Sequence, residues 1–240
     1  MSKLTNAPLN EVIFELKWKS DSNKDLSNFQ ILLGAMFASL KDKYPNLESI
    51  MPDPSIPLIV FHQKPTYRFR SASDSNNLFQ LGPGVLTVNF VGPNYDWNVF
   101  RNDVKTVVDK FMDLFVMESN DIEIGLTYID FFDFDFTNKN IIEYLKQYMH
   151  INFDTDLFHT RTFGFTSSDV IDGGAVFNIS MNTGFKAKEE KGIVVSSKMS
   201  KSTDRNYIMS GHEDVLNSFH EKLSTFFDKM IEGDLYQKLQ

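Results

Sequence analysis

Asp130 stands where an apolar residue is expected. Ile122, Ile124, Leu126 and Tyr128 alternate with other residues, Phe132, Phe134 and Phe136 resume the alternation, and Asp130 falls on the same face between them. In a strand, residues two apart point the same way. The carboxylate is therefore either buried with partners or re-aimed at a bulge. A buried carboxylate is costly unless hydrogen-bonded or ion-paired. A structural network is the first expectation for Asp130, and a ligand-contacting or catalytic acid the second.

Two Asp-x-Asp pairs, Asp133/Asp135 and Asp154/Asp156, could each aim two carboxylates at one divalent cation. Asp133 and Asp135 oppose the Phe132/Phe134/Phe136 face, where solvent is expected, and no metal is assigned to them. The histidines are His62, His150, His159, His212 and His220. His212 and His220 share the final helix but lie about 80° apart round its axis. That is not the i,i+4 spacing of a helical zinc pair, so His220 is expected to hydrogen-bond rather than ligate. Gly-x-Ser-x-Gly, Gly-x-Gly-x-x-Gly and the Walker lysine loop are all missing from the chain, which argues against an elbow serine and the usual nucleotide loops. There are no cysteines, and this removes disulfides, thiolate–zinc sites and thiol nucleophiles. No catalytic, cofactor-binding or metal residue is assigned.

The elements that must position these residues read as follows. Val12, Phe14, Leu16 and Trp18 alternate with polar neighbours as a half-buried strand. Leu26, Phe29, Leu33, Met36, Leu40 and Tyr44 form a helical stripe ended by Pro45, and a proline-rich loop covers 45–57. Strands are expected at Leu58–His62, Thr66–Ser71, Leu78–Leu81 and Val85–Val91, with Gly82-Pro83-Gly84 as a turn or bulge. A second helix follows a cap at Asn94 or Asp96. The pattern then repeats. The strand at 122–128 leads to a short helix carrying Ile141, Ile142, Leu145 and Tyr148. Strands are expected at Thr160–Thr166, Ala175–Gly184, Ile193–Met199 and, weakly, Tyr207–Met209. A final helix runs through Val215 to Met230. Asp172-Gly173-Gly174 and 186–192 mark hairpin turns.

The order is strand, helix, three or four strands, helix, stated twice. The fold expected is α+β, a mainly antiparallel sheet from two such pseudo-repeats with helices on one face. It has the element order of the TATA-binding-protein fold. The halves are 1–120 and 121–240, joined in one continuous structural domain.

Bulk properties restrict function. The net charge is −8, the reverse of what phosphate neutralisation asks of a nucleic-acid binder. A local basic surplus at Lys186, Lys188, Lys191, Lys198, Lys201 and Arg205 reads first as a solvated hairpin. Lys198 and Lys201 are the candidates for an anion-contacting patch. No run approaches the roughly 18 apolar residues of a membrane span, and a cytoplasmic location is expected. The chain holds 23 Phe against 2 Trp and 8 Tyr, which signals a Phe-rich core, with a Phe-lined pocket or partner surface as the sharper alternative.

Three stretches resemble a sporadically distributed prokaryotic family of unknown function. Pro8-Leu9-Asn10-Glu11-Val12-Ile13-Phe14-Glu15 is similar to its Pro-x-x-Glu-Val-x-Phe-Glu opening strand. Gly125-Leu126-Thr127-Tyr128-Ile129-Asp130 is similar to its Gly-Leu-Arg-Tyr-Ile-Asn central strand. Phe219-His220-Glu221, continuing to Phe226-Phe227-Asp228, is similar to its C-terminal Leu-His-Glu helix. Ala7, Thr127 and Asp130 depart from the family's proline, arginine and asparagine. The resemblance implies no activity. The family's patchy distribution suggests a phage-defence or other accessory system.

The expectation is a non-enzymatic protein-interaction module that binds a protein partner or itself, with no cofactor, no membrane and nucleic acid disfavoured. The alternative is a small-molecule sensor or enzyme with a pocket between the two halves.

Overall fold

A computed structural model describes residues 4–20, 22–92, 94–115, 121–152, 162–186 and 189–240. The protein is α+β. Among the described residues nine strands form one open antiparallel sheet: β1 (Leu9–Trp18), β2 (Asn46–Ser49), β3 (Tyr67–Arg70), β4 (Asn77–Gly82), β5 (Val85–Val91), β6 (Ile122–Asp133), β7 (Gly164–Ile171), β8 (Ala175–Lys186) and β9 (Glu190–Thr203), in the order β2-β3-β4-β5-β1-β6-β9-β8-β7. The helices are α1 (Asn23–Leu40), α2 (Trp97–Leu114), α3 (Ile141–Tyr148), α4 (Arg205–Met230) and α5 (Asp234–Leu239). Among the described residues, no helix is long and apolar enough to cross a membrane.

The contacts divide the chain into two compact units. One comprises Glu11–Leu126 with Ser200–Asn217. Its core gathers Val12, Phe14, Leu16 and Trp18 of β1, all buried as their alternation requires. The cross-strand partners Phe69 and Phe79 stack with centroids 4.2 Å apart, and the Tyr44 ring meets Phe79 edge-on at 5.1 Å. Such pairs stabilise a sheet beyond their buried area. The opposite face is polar: Glu48 of β2 takes Arg68 and Arg70 of β3 at 3.2 Å each. α1 starts at a capping box in which Ser22 Oγ accepts from the Asp25 amide and the Asp25 carboxylate accepts from the Ser22 amide. Asp96 caps α2 by accepting from the Val99 amide. Gly84, in the β4–β5 turn, has φ +78°, and a Cβ there would lie 2.5 Å from the Trp18 carbonyl oxygen. Only glycine fits that turn.

The other unit comprises Met1–Asn10, Thr127–Met199 and Ser218–Gln240. Phe132, Phe134 and Phe136 are buried there with Ile141, Leu145, Ile193, Val195 and Ile231. Phenylalanine thus contributes to both cores.

Several elements differ from the sequence reading. Leu58–Phe61 is a 3-10 helix, not a strand. Its four apolar residues carry no period that separates the two, and none of them is buried. Tyr207–Met209 is the first turn of α4, because Asp204 accepts from the Tyr207 amide at 2.9 Å and starts the helix. β2 lies within the proline-rich stretch read as loop. α1 stops at Leu40, four residues before Tyr44. β7 continues through polar Ser167-Ser168-Asp169, where no apolar alternation marks a strand. The start of the strand expected at Thr160–Thr166 lies outside the described residues.

Candidate functional site

β6 carries the candidate chemistry. Its even positions face the interior, and Asp130 takes the buried alternative, with 4% of its surface exposed. Burial pushes its carboxyl up to about 7, because removal from water penalises the charged form. Two residues earlier on the same face, the Tyr128 hydroxyl lies 2.7 Å from Nδ1 of His220 on α4. Ser224, one turn further along α4, places Oγ 3.3 Å from the same nitrogen. Burial pushes His220 down to about 4, so the imidazole is neutral at neutral pH. The opening segment joins this region through the Phe131 amide, which donates to the Pro8 carbonyl at 2.8 Å. The three stretches singled out in the sequence therefore meet, two through a tyrosine–histidine bond and two through the backbone.

Beyond Asp133 the chain emerges at a cleft of about 1000 Å³. Asn140 caps α3 by accepting from the Ile142 amide, and α3 then presents Tyr144 and Tyr148 one turn apart, with ring centroids 4.8 Å from each other. Lys238 of α5 lays its ammonium over both rings, 5.8 Å from Tyr144 and 5.5 Å from Tyr148, the geometry of cation–π attraction. Asp133, Glu143, Glu189 and Glu190 line the same cleft and are exposed. Burial first, then the neighbouring Tyr148 and Asp133, pushes the Tyr144 hydroxyl up to about 12.

The Asp133/Asp135 pair does not act as a unit. Asp135 accepts from the Thr137 amide at 3.1 Å, the Thr137 hydroxyl at 2.6 Å and the Asn138 side chain at 2.7 Å. Those hydrogen bonds hold its carboxyl well below the usual range, with the Lys191 ammonium 3.7 Å away a smaller cause. It is committed to its own turn. Among the described residues no three His, Asp or Glu side chains converge on a metal position.

The basic side chains described have partners of their own. Lys186 lies 5.7 Å from the Phe131 ring centroid, Lys191 donates to Thr137 Oγ1 at 2.9 Å, and Lys201 lies 5.5 Å from the Tyr207 ring. Arg205 donates to the carbonyls of Met112 and Phe115 at the end of α2. Lys198 is half-buried on β9. Among the other histidines, His62 Nδ1 donates to the Ser20 carbonyl, His150 Nε2 to that of Glu232 and His212 Nδ1 to that of Ile208. Asp154, Asp156, His159 and Lys188 lie outside the described residues.

Sequence reasoning found Asp130 but not its neighbours Tyr128 and His220 as a pair, since nothing local links residues 92 apart in sequence. It missed the cleft too, although Tyr144 and Tyr148 at i,i+4 beside several carboxylates were a usable signal. Comparison with known protein families, curated proteins and solved structures gives no significant match.

Proposed function

We propose that this protein is a non-enzymatic interaction module whose tyrosine-lined, acidic cleft receives a basic segment of a protein partner. The observation that carries this reading is Lys238, which already lays an ammonium over Tyr144 and Tyr148 inside the cleft. A tyrosine pair in a cleft lined by five carboxylates against Lys139, Lys191 and Lys238 suits lysine or arginine side chains, because ring faces and carboxylates both attract cations. The net charge of −8 would steer a basic partner toward it. Asp130, Tyr128 and His220 are not among the residues lining the cleft. That supports binding over catalysis.

The strand order also supports a duplicated plan. Each opening strand, β1 or β6, is followed outward by the last strand of its own half and then by the others in reverse. This is the arrangement two β-α-β(3–4)-α copies would adopt. Placement in a defence or accessory system rests on the family resemblance.

A lysine-rich peptide titrated by calorimetry tests the cleft. The expected result is binding at low salt that weakens as salt rises. Glu189→Lys with Glu190→Lys should weaken it at least tenfold, and Tyr148→Leu several-fold. A wild-type protein that ignores the peptide at low salt, or charge reversals without effect, would reject the reading.

A further inference from the structure

The two edges of the sheet are treated differently. β2, at one edge, is four residues long, its Glu48 is tied to two arginines, and Pro45 precedes it. β7, at the other, is eight residues long, with the sequence Gly-Phe-Thr-Ser-Ser-Asp-Val-Ile. It contains no proline, lysine or arginine, and every residue but the last is exposed. Sheet proteins normally blunt such an edge, because its unpaired N–H and C=O groups template another strand.

The pairing with β8 settles which groups β7 leaves open among the described residues. Thr183 N–H donates to the Phe163 carbonyl, and the same register continues without a break from Gly164↔Asn182 to Ile171↔Ala175. Odd-numbered residues of β7 therefore direct their backbone groups to β8, and even-numbered ones direct theirs to the open edge. A second β7 running antiparallel about a two-fold axis must then match even with even. Centring the axis on Ser168 does this. It sets Phe165 opposite Ile171 of the other copy, Thr166 opposite Val170 and Ser167 opposite Asp169. The apolar Phe165 and Val170, exposed by 38% and 70%, each meet a β-branched or apolar partner. The one charge, Asp169, meets a hydroxyl rather than its own copy. Shifting the axis to Ser167 would instead set Phe165 against Asp169 and Val170 against Gly164. Of these two registers, only the one centred on Ser168 is complementary.

We propose that β7 is a self-association edge, joining two copies of this chain into an isologous dimer with its axis at Ser168. The partner is a second copy because the complementarity is two-fold: each residue that offers a contact finds its match on the same strand. Pairing seven residues a side buries little surface, so the dimer is weak and concentration-dependent. This surface is separate from the cleft.

The register gives a decisive test by sedimentation velocity over a concentration series. Thr166→Lys with Val170→Lys places like charges opposite each other at two positions, whereas Thr166→Lys with Val170→Glu places opposite charges there. Wild type should dimerise as concentration rises. The Lys/Lys variant should weaken the dimer at least tenfold and the Lys/Glu variant should keep it within a few-fold of wild type. Both side chains point to solvent, and unchanged circular dichroism and melting confirm that the hairpin survives. A wild type that stays monomeric at several hundred micromolar overturns the proposal, as do Lys/Lys and Lys/Glu variants that behave alike. Either result would leave the edge to a different extended segment.

Discussion

Buried Asp130 and half-buried His220 have opposite preferences for protons, and stability should show it. Asp130 is pushed up to about 7. Between about pH 4 and 7 the folded protein keeps a proton that the unfolded chain releases, so its contribution falls as pH rises. His220 is pushed down to about 4. As pH falls from about 6.5, the ordinary imidazole value, the unfolded chain takes up a proton that the folded one refuses, so its contribution falls as pH falls. Across about pH 4 to 6.5 the two slopes oppose each other and partly cancel. Asp130→Asn, a neutral isostere, should remove the first slope. The variant should gain stability as pH rises through that window and exceed wild type at pH 8. His220→Gln should do the reverse, losing stability steadily from pH 4 to 7. Urea midpoints measured against pH would decide, and variants whose profiles run parallel to wild type would refute the assignment. The nature of Asp130 was legible in the sequence because its face was. Its setting was not, because Tyr128 and His220 come together only once α4 packs on β6.

At the scale of the element, legibility followed periodicity. β1 and α2 each bury one clear face and were read with nearly their observed ends, β1 lacking its first three residues, while β5, buried on both faces, was read with its observed bounds. Leu58–Phe61 and Tyr207–Met209 were misread, since three or four apolar residues fit either period and local caps decided between them. β7 and α5 went largely unread, one because it buries almost nothing and the other because it is six residues long. Arg205 shows how a residue read as surface charge can serve an element. Its guanidinium holds carbonyls that the end of α2 leaves without helical partners, and its charge meets the negative end of the helix dipole. Arg205→Ala should cost about 1–2 kcal/mol, read as a lowered urea midpoint. Amide exchange should quicken first in the last turn of α2. Arg205→Lys, with one ammonium for two forked donors, should recover only part. An unchanged midpoint for the alanine variant would show that the carbonyls are equally served by water.

At the scale of the molecule, one quantity acts on both proposed surfaces with opposite sign. Each chain carries a net charge of −8 and has a pI near 5.1. That charge repels a second copy and attracts a basic segment. Salt screens both effects over about 10 Å at 0.1 M. Raising salt from about 20 to 300 mM should therefore tighten self-association through β7 while it weakens peptide binding in the cleft. Lowering pH toward 5.1 should act in the same two directions, because it brings the net charge of the chain toward zero. The β7 register itself holds only Asp169, set against a hydroxyl, so its pairing loses little when charge is removed. The cleft depends on charge and should lose affinity. Sedimentation and calorimetry on the same samples would measure both responses. Two affinities that moved together with salt would show that a single surface serves both events.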